Sequence, residues 1–220
     1  MLAAIFDGSL AAEAFPQLLE QFLKVTLLVT VVASILSVVL GLVWAIALRQ
    51  LPGWLGWPLR LFLDFIRMTP IPVQLLFVFY GVVVFKPRVD ALIIGVIVFG
   101  VHYSTYMAES YRAGIESIRS GQWEAATALS LPATRTWRAV ILPQAIRNTL
   151  PSLGNWTIAM FKDTPYLIFI HVGEMVTRAR EFGGMKFSYI ESFTIAGLIF
   201  LAASYPTAVL MRKLEKKLEY

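Results

Sequence analysis

Four uncharged, strongly apolar runs divide the chain, and each is long enough for a membrane crossing of ~20 residues. Val25–Leu48 has no charge and carries small residues at Ser34, Ser37 and Gly41, where another helix can pack closely. Met68–Phe85 lies between Arg67 and Lys86, and the preceding WPLRLFLDFI extends it. Ala91–Ala108 lies between Asp90 and Glu109, and Ser192–Met211 between Glu191 and Arg212. From Arg147 to Thr177 the pattern is interrupted. Asn148–Phe161 is apolar but short and contains Pro151, Gly154 and Asn155. Lys162, Asp163 and Pro165 follow, then the apolar run Tyr166–Val172. A broken helix fits, because irregular backbone at membrane depth survives only inside protein or along a water-filled path. It is the fourth of five expected spans.

Residues 1–24 carry Asp7, Glu13 and Glu20 among apolar positions and lack a basic leading region. They read as an amphipathic lead-in and not as a signal peptide. Residues 25–220 read as one transmembrane domain, since no polar or Ser/Gly/Pro-rich linker divides them.

Composition supports the membrane reading. Of 220 residues 58% are hydrophobic and 15% charged, with a mean hydropathy of +0.70; a soluble domain has ~45–50% apolar residues. The formal charge of +5 has no basic stripe with interleaved aromatics beneath it, so nucleic acid is not an expected partner. Twelve of the 19 Lys and Arg residues fall in one set of loops: Arg49, Arg60 and Arg67; Arg112 to Arg147; and Arg212 to Lys217. The other set holds Lys86, Arg88, Arg178, Arg180 and Lys186, with Lys24 near the N-terminus. The positive-inside rule places the Arg112–Arg147 loop and the C-terminus in the cytoplasm and the N-terminus outside. There is no cysteine, hence no disulfide framework and no thiolate metal site.

Polar groups within spans are the chemical clues, because each charge there costs ~2.5–3.5 kcal/mol. Asp64 and Arg67 are i, i+3 neighbours and form an interfacial pair. Pro70 and Pro72 kink or restart the helix just before Gln74. His102, Tyr106 and Glu109 lie at i, i+4, i+7 on one face, with Tyr103 and Ser110 beside it. That face either lines a path or packs against neighbouring spans, and periodicity does not separate the two. The substrate path is expected to use Gln74, His102, Tyr103, Tyr106, Asn155 and Lys162. No catalytic, metal or phosphate-loop motif is present, so a non-catalytic subunit that binds no cofactor is expected. Any ATP and magnesium would be used by another chain.

The segment GQWEAATALSLPATRTWRAVILPQA (121–145) differs in character. Ser120 and Gly121 are expected to break the emerging helix, and Glu124 to sit in the first turn of a new one. Trp123, Thr127 and Leu131 form an apolar-leaning stripe that Pro132 ends. Glu124-Ala125-Ala126, followed by Leu142-Pro143 after Val140, resembles the cytoplasmic loop motif of bacterial ATP-binding-cassette importer permeases. RMTPIPVQLLFVFYG (67–81), YMAESYRAGIESIRSGQ (106–122) and ILPQAIRNTLPSLGNW (141–156) resemble the polar amino-acid branch of that family.

The resemblance implies an all-α, five-span type I importer permease in the bacterial inner membrane. It implies pairing with a second permease, two cytoplasmic ATPase subunits and an external solute-binding protein. Glu124, Ala125, Ala126, Ser130, Leu142 and Pro143 fall in the loop that docks on the ATPase. Two positions depart from the family. Ser130 stands where glycine is usual, placing a Cβ and hydroxyl at a tight contact. KDTPYL (162–167) replaces a Lys-x-Thr-Ser-Leu pattern. The second departure brings a zwitterionic compatible solute, ectoine- or betaine-like, alongside polar amino acids as expected cargo. A self-contained ion-coupled transporter or channel built on His102, Glu109 and Lys162–Asp163 is the rival class.

Overall fold

The computed structural model describes residues 6–85 and 89–218. Lys86 and Arg88, counted above for topology, lie outside them, as do residues 1–5. The described chain is helical: α1 Gly8–Gln21, α2 Leu27–Gln50, α3 Gly53–Met68, α4 Ile71–Phe85, α5 Ala91–Glu116, α6 Ser120–Ala128, α7 Ala133–Arg135, α8 Leu142–Asp163, α9 Met175–Lys186 and α10 Tyr189–Leu218. A π-turn at Phe22–Thr26 joins α1 to α2 without a break, so the lead-in and the first span form one rod. Within α1, Ala11, Ala14 and Leu18 are buried at i, i+3, i+7, and the helix packs against α9 and α10.

The seam between α2 and α5 is the most extensive helix contact. Lipid tails are as apolar as leucine, so close packing and hydrogen bonds, rather than transfer from water, hold such a seam. A Cβ built on Gly41 would lie 2.8 Å from the Met107 Cβ and 3.0 Å from the Ser104 carbonyl oxygen. Glycine is therefore required for this approach. Ser37 donates to the carbonyl of Gly100 at 2.9 Å, and the Trp44 indole donates to Ser104 Oγ at 3.0 Å. The small-residue face expected on the first span is this seam.

The second span differs from expectation. WPLRLFLDFI does not extend it but belongs to α3, a separate helix turned 107° from α4. Pro70 cannot continue the α3 hydrogen-bond ladder, and Thr69 is extended. The Gln74 amide closes the corner by donating to the carbonyls of Ile66 (2.7 Å) and Thr69 (2.9 Å). The fourth span also differs. α8 runs unbroken through Pro151, Gly154 and Asn155, and the irregular part is the 3-10 turn Thr164–Ile170 that follows.

Three described helices are individually long and apolar enough to cross a membrane, Gly8–Gln50, Ala91–Glu116 and Tyr189–Leu218; the bent pair α3–α4 is long and apolar enough only when its two helices are taken together. α8 is less apolar than these. Two larger clusters make up most of the buried apolar core. One gathers Val29, Leu75, Val98, Phe99 and Met160, and the other gathers Leu18, Phe22, Phe161, Phe182 and Ile199.

Candidate translocation path and coupling loop

Helix α5 brings most of the expected path residues together. His102 and Tyr103 are buried and Tyr106 is half-buried. The rings of His102, Tyr103 and Tyr106 are 5.4–6.0 Å apart, and Tyr106 lies 4.5 Å from Trp156 of α8. His102 Nδ1 is 3.3 Å from Gln74 Oε1, so one amide side chain serves both the α3–α4 corner and α5. The Tyr103 hydroxyl donates to Asp163 Oδ2 at 2.7 Å. Tyr106 donates to the Arg67 carbonyl at 3.2 Å. A second chain joins Trp156 Nε1 to Ser110 Oγ (3.0 Å) and Ser110 to Ser152 Oγ (2.7 Å).

A cavity of about 850 Å³ lies beside this cluster, between α5, α8 and the end of α10. Tyr106, Ser110, Ser152, Asn155 and Trp156 line it. Arg67, Arg147, Glu109 and Glu215 give its wall charge of both signs.

The other expected residues are exposed. Glu109 is exposed, is held by Nε and one terminal nitrogen of Arg112, and lines the cavity together with Tyr106, whereas His102 is not among the lining residues. Arg112 also pairs with Glu116 at 2.5 Å. Lys162 is exposed, makes none of the described ion pairs, and stands apart from the aromatic cluster. Asn155 is exposed but lines the cavity. Asp163, Ser110, Ser152 and Trp156 belong to the cluster and were not among the expected path residues. Spacing alone joins none of them, because the partners sit 42 to 60 positions apart. The signal for Asp163 was its charge at the end of an apolar helix. The expected Asp64–Arg67 pair is present at 2.6 Å.

The loop between α5 and α8 carries α6. The break lies at 117–119, not at Ser120 and Gly121, which open α6. Ala126 is buried, whereas Glu124, Ala125 and Thr127 are exposed. The buried side of the loop is therefore made by Ala126 and by Trp123, whose ring meets Trp137 edge-on at 5.3 Å. Thr127 does not join that side. Ile118, Ile141 and Ala145 form the small core below.

The helix stops at Ala128, before Pro132. Ser130 takes a left-handed conformation at φ 51°. Its N–H donates to the Thr127 carbonyl (2.9 Å), and the Leu131 N–H donates to Ala126 (3.0 Å). This is a Schellman cap with serine at its left-handed position, where glycine carries no steric penalty. Ser130 is exposed, so within the chain its departure bears on backbone conformation and not on a crowded contact. Leu142 and Pro143 are exposed in the first turn of α8, behind the π-turn Thr136–Ile141.

The chain is a helical membrane unit with a cavity that carries charges of both signs and a loop that carries its own short helix. Residues 37–220 match the family model described as the binding-protein-dependent transport system inner membrane component, and the chain belongs to that family. Over 213 residues it is 34% identical to the probable amino-acid ABC transporter permease protein YckA of Bacillus subtilis, covering 97% of this chain and 94% of that one. It is 33% identical over 217 residues to the glutamine transport system permease protein GlnP of Escherichia coli, covering 97% and 98%. The fold matches a crystal structure of an amino acid ABC transporter with histidines at a TM-score of 0.87 and 29% identity, over 94% of this chain and 96% of that one. The expected fold, an all-α type I importer permease, is the one observed.

Proposed function

We propose that this chain is the permease subunit of an ATP-driven importer for polar amino acids. It works as a pair of permeases with two cytoplasmic ATPase subunits and an external solute-binding protein. The observation that carries this reading is α6: a short helix with Glu124 and Ala125 exposed and its opposite side anchored by Ala126, Trp123 and the Trp137 ring. A rigid helix on a tethered foot transmits displacement in both directions, as a two-state importer requires. Glu124, Ala125, Ala126, Ser130, Leu142 and Pro143 form the ATPase-docking surface, and the loop and C-terminus are cytoplasmic with the N-terminus outside.

The path follows α5 and α8. Gln144, Asn148, Ser152, Asn155 and Lys162 stud a helix long enough to cross the bilayer. Asn148, Asn155 and Lys162 recur every seven residues and are exposed. Such a stripe is tolerated at membrane depth only against protein or a solvated path. Facing a second permease, it becomes one wall of that path. The mixed charge of the adjoining cavity suits a zwitterion with a polar side chain better than an apolar solute. Names of relatives that specify amino acids and glutamine point the same way.

The test uses the permease co-purified with its ATPase. Glu124→Lys is expected to abolish stimulated ATP hydrolysis or complex formation. Unchanged stimulation removes the docking assignment.

A further inference from the structure

A second cavity, of about 520 Å³, lies between the ends of α2 and α5 and the inner face of α3. Four arginines line it, Arg49, Arg60, Arg67 and Arg112, against the carboxylates of Asp64, Glu109 and Glu116. The carboxylates are already engaged. Asp64 pairs with Arg67, and Arg112 takes both Glu109 and Glu116. Arg49 and Arg60 are left without a carboxylate among the described ion pairs.

The outer face of α3 has the opposite chemistry. Trp54, Trp57, Leu61, Phe65 and Met68 recur at helical spacing and are exposed, Trp54 to 74% and Phe65 to 66%. The 107° turn carries α3 away from the direction of α4, and its exposed tryptophan-rich face is that of a helix lying along a membrane surface. An amphipathic helix with tryptophans on its apolar face seats at the headgroup boundary. Here its polar side, Arg60, Asp64 and Arg67, faces α5 and the cavity.

We propose that this cavity binds the phosphate-bearing headgroup of an anionic phospholipid of the inner leaflet. The acyl chains run along the tryptophan face of α3, and Arg60 and Arg49 meet the phosphate. Basic pockets between spans on the cytoplasmic side bind such headgroups, and guanidinium forks match phosphate oxygens. The volume falls within the ~300–1,000 Å³ range of small-ligand sites. A lipid is favoured over free phosphate because an apolar membrane-facing surface continues out of the charged cavity. Arg49 also lies 4.7 Å over the ring of Trp137, which packs on Trp123 at the foot of α6. Occupancy of the cavity therefore bears on the coupling loop through a single side chain. The inner-leaflet assignment rests on the proposed orientation, whereas headgroup binding does not depend on ATPase, cargo or transport.

The experiment is native mass spectrometry of the intact permease from nanodiscs of phosphatidylcholine with or without phosphatidylglycerol. The wild type is expected to retain phosphatidylglycerol over phosphatidylcholine. Arg49→Gln/Arg60→Gln is expected to lose that preference by about tenfold, equal to about 1.4 kcal/mol, with helical circular dichroism unchanged. Equal retention of the two lipids by the wild type overturns the proposal, as does full retention by the folded double variant. Displacement of the lipid by millimolar inorganic phosphate overturns the choice of lipid over soluble anion. If the double variant does not fold, Arg60→Gln alone is read by the same ratio.

Discussion

The Tyr103 hydroxyl donates a 2.7 Å hydrogen bond to Asp163 Oδ2, tying the middle of α5 to the last residue of α8. It is the described contact of the Asp163 carboxylate, at the point where α8 gives way to the 3-10 turn beginning at Thr164. Removing the donor leaves a half-buried carboxylate to find water or to rearrange. Tyr103→Phe is expected to lower stability in detergent by about 1–3 kcal/mol and to reduce uptake. Asp163→Asn keeps an acceptor for Tyr103 and is expected to retain more stability than Asp163→Ala. Equal melting of wild type and Tyr103→Phe would show that this bond does not hold the two helices.

Gln74 holds the α3–α4 corner with two backbone contacts and faces His102 with its carbonyl oxygen. Gln74→Leu keeps the volume but leaves the Ile66 and Thr69 carbonyls without this donor. Loss of about 1–3 kcal/mol is expected, with faster hydrogen exchange at the start of α4. Exchange that changes only in distant helices would contradict the role given to this amide.

The left-handed backbone of Ser130 predicts a gain. A non-glycine residue there costs about 1–2 kcal/mol, while added glycine freedom in the unfolded chain takes back about 0.4–1 kcal/mol. Ser130→Gly is therefore expected to be neutral to stabilising by up to about 1.6 kcal/mol. Ser130→Val is expected to destabilise α6 and its seat. Thermal melts of the three proteins, followed by the fluorescence of Trp123 and Trp137, check the order.

The α5–α8 crossing depends on Gly114, where an added Cβ would collide with Thr149 Oγ1 and lie 3.1 Å from the Ala145 carbonyl oxygen. Gly114→Leu is expected to force the helices apart and cost about 3 kcal/mol, the upper end for overpacking. Gly114→Ala in a Thr149→Ala background relieves the side-chain clash and is expected to recover part of that loss. No recovery would place the strain on the backbone contact alone.

Much of this arrangement is readable from residue types. The small residues Ser34, Ser37 and Gly41 announced a close helix seam, and charge-free runs located the spans. The Pro70–Pro72 pair announced a break but not its 107° angle, which depends on where the Gln74 amide finds carbonyls. Pro151, Gly154 and Asn155 suggested a broken helix, yet α8 continues. Pro151 lies in the middle of the helix, and tertiary packing of Thr149, Leu153 and Ile158 overrides the local signals. The Tyr103–Asp163 and Trp156–Ser110–Ser152 contacts join distant parts of the chain, and one sequence does not specify such pairings. Helical period gave Glu109 its face but not its depth: it lines the cavity with Tyr106, while its ion pair with Arg112 keeps it exposed.

Uptake into proteoliposomes tests the central claim most directly. The chain is reconstituted with and without its ATPase, with the solute-binding protein outside and ATP inside, and labelled glutamine or another polar amino acid is offered. Accumulation is predicted only when ATPase, ATP and binding protein are all present. It is predicted to be lost with Glu124→Lys. Accumulation by the chain alone, driven by an ion gradient, would contradict the account.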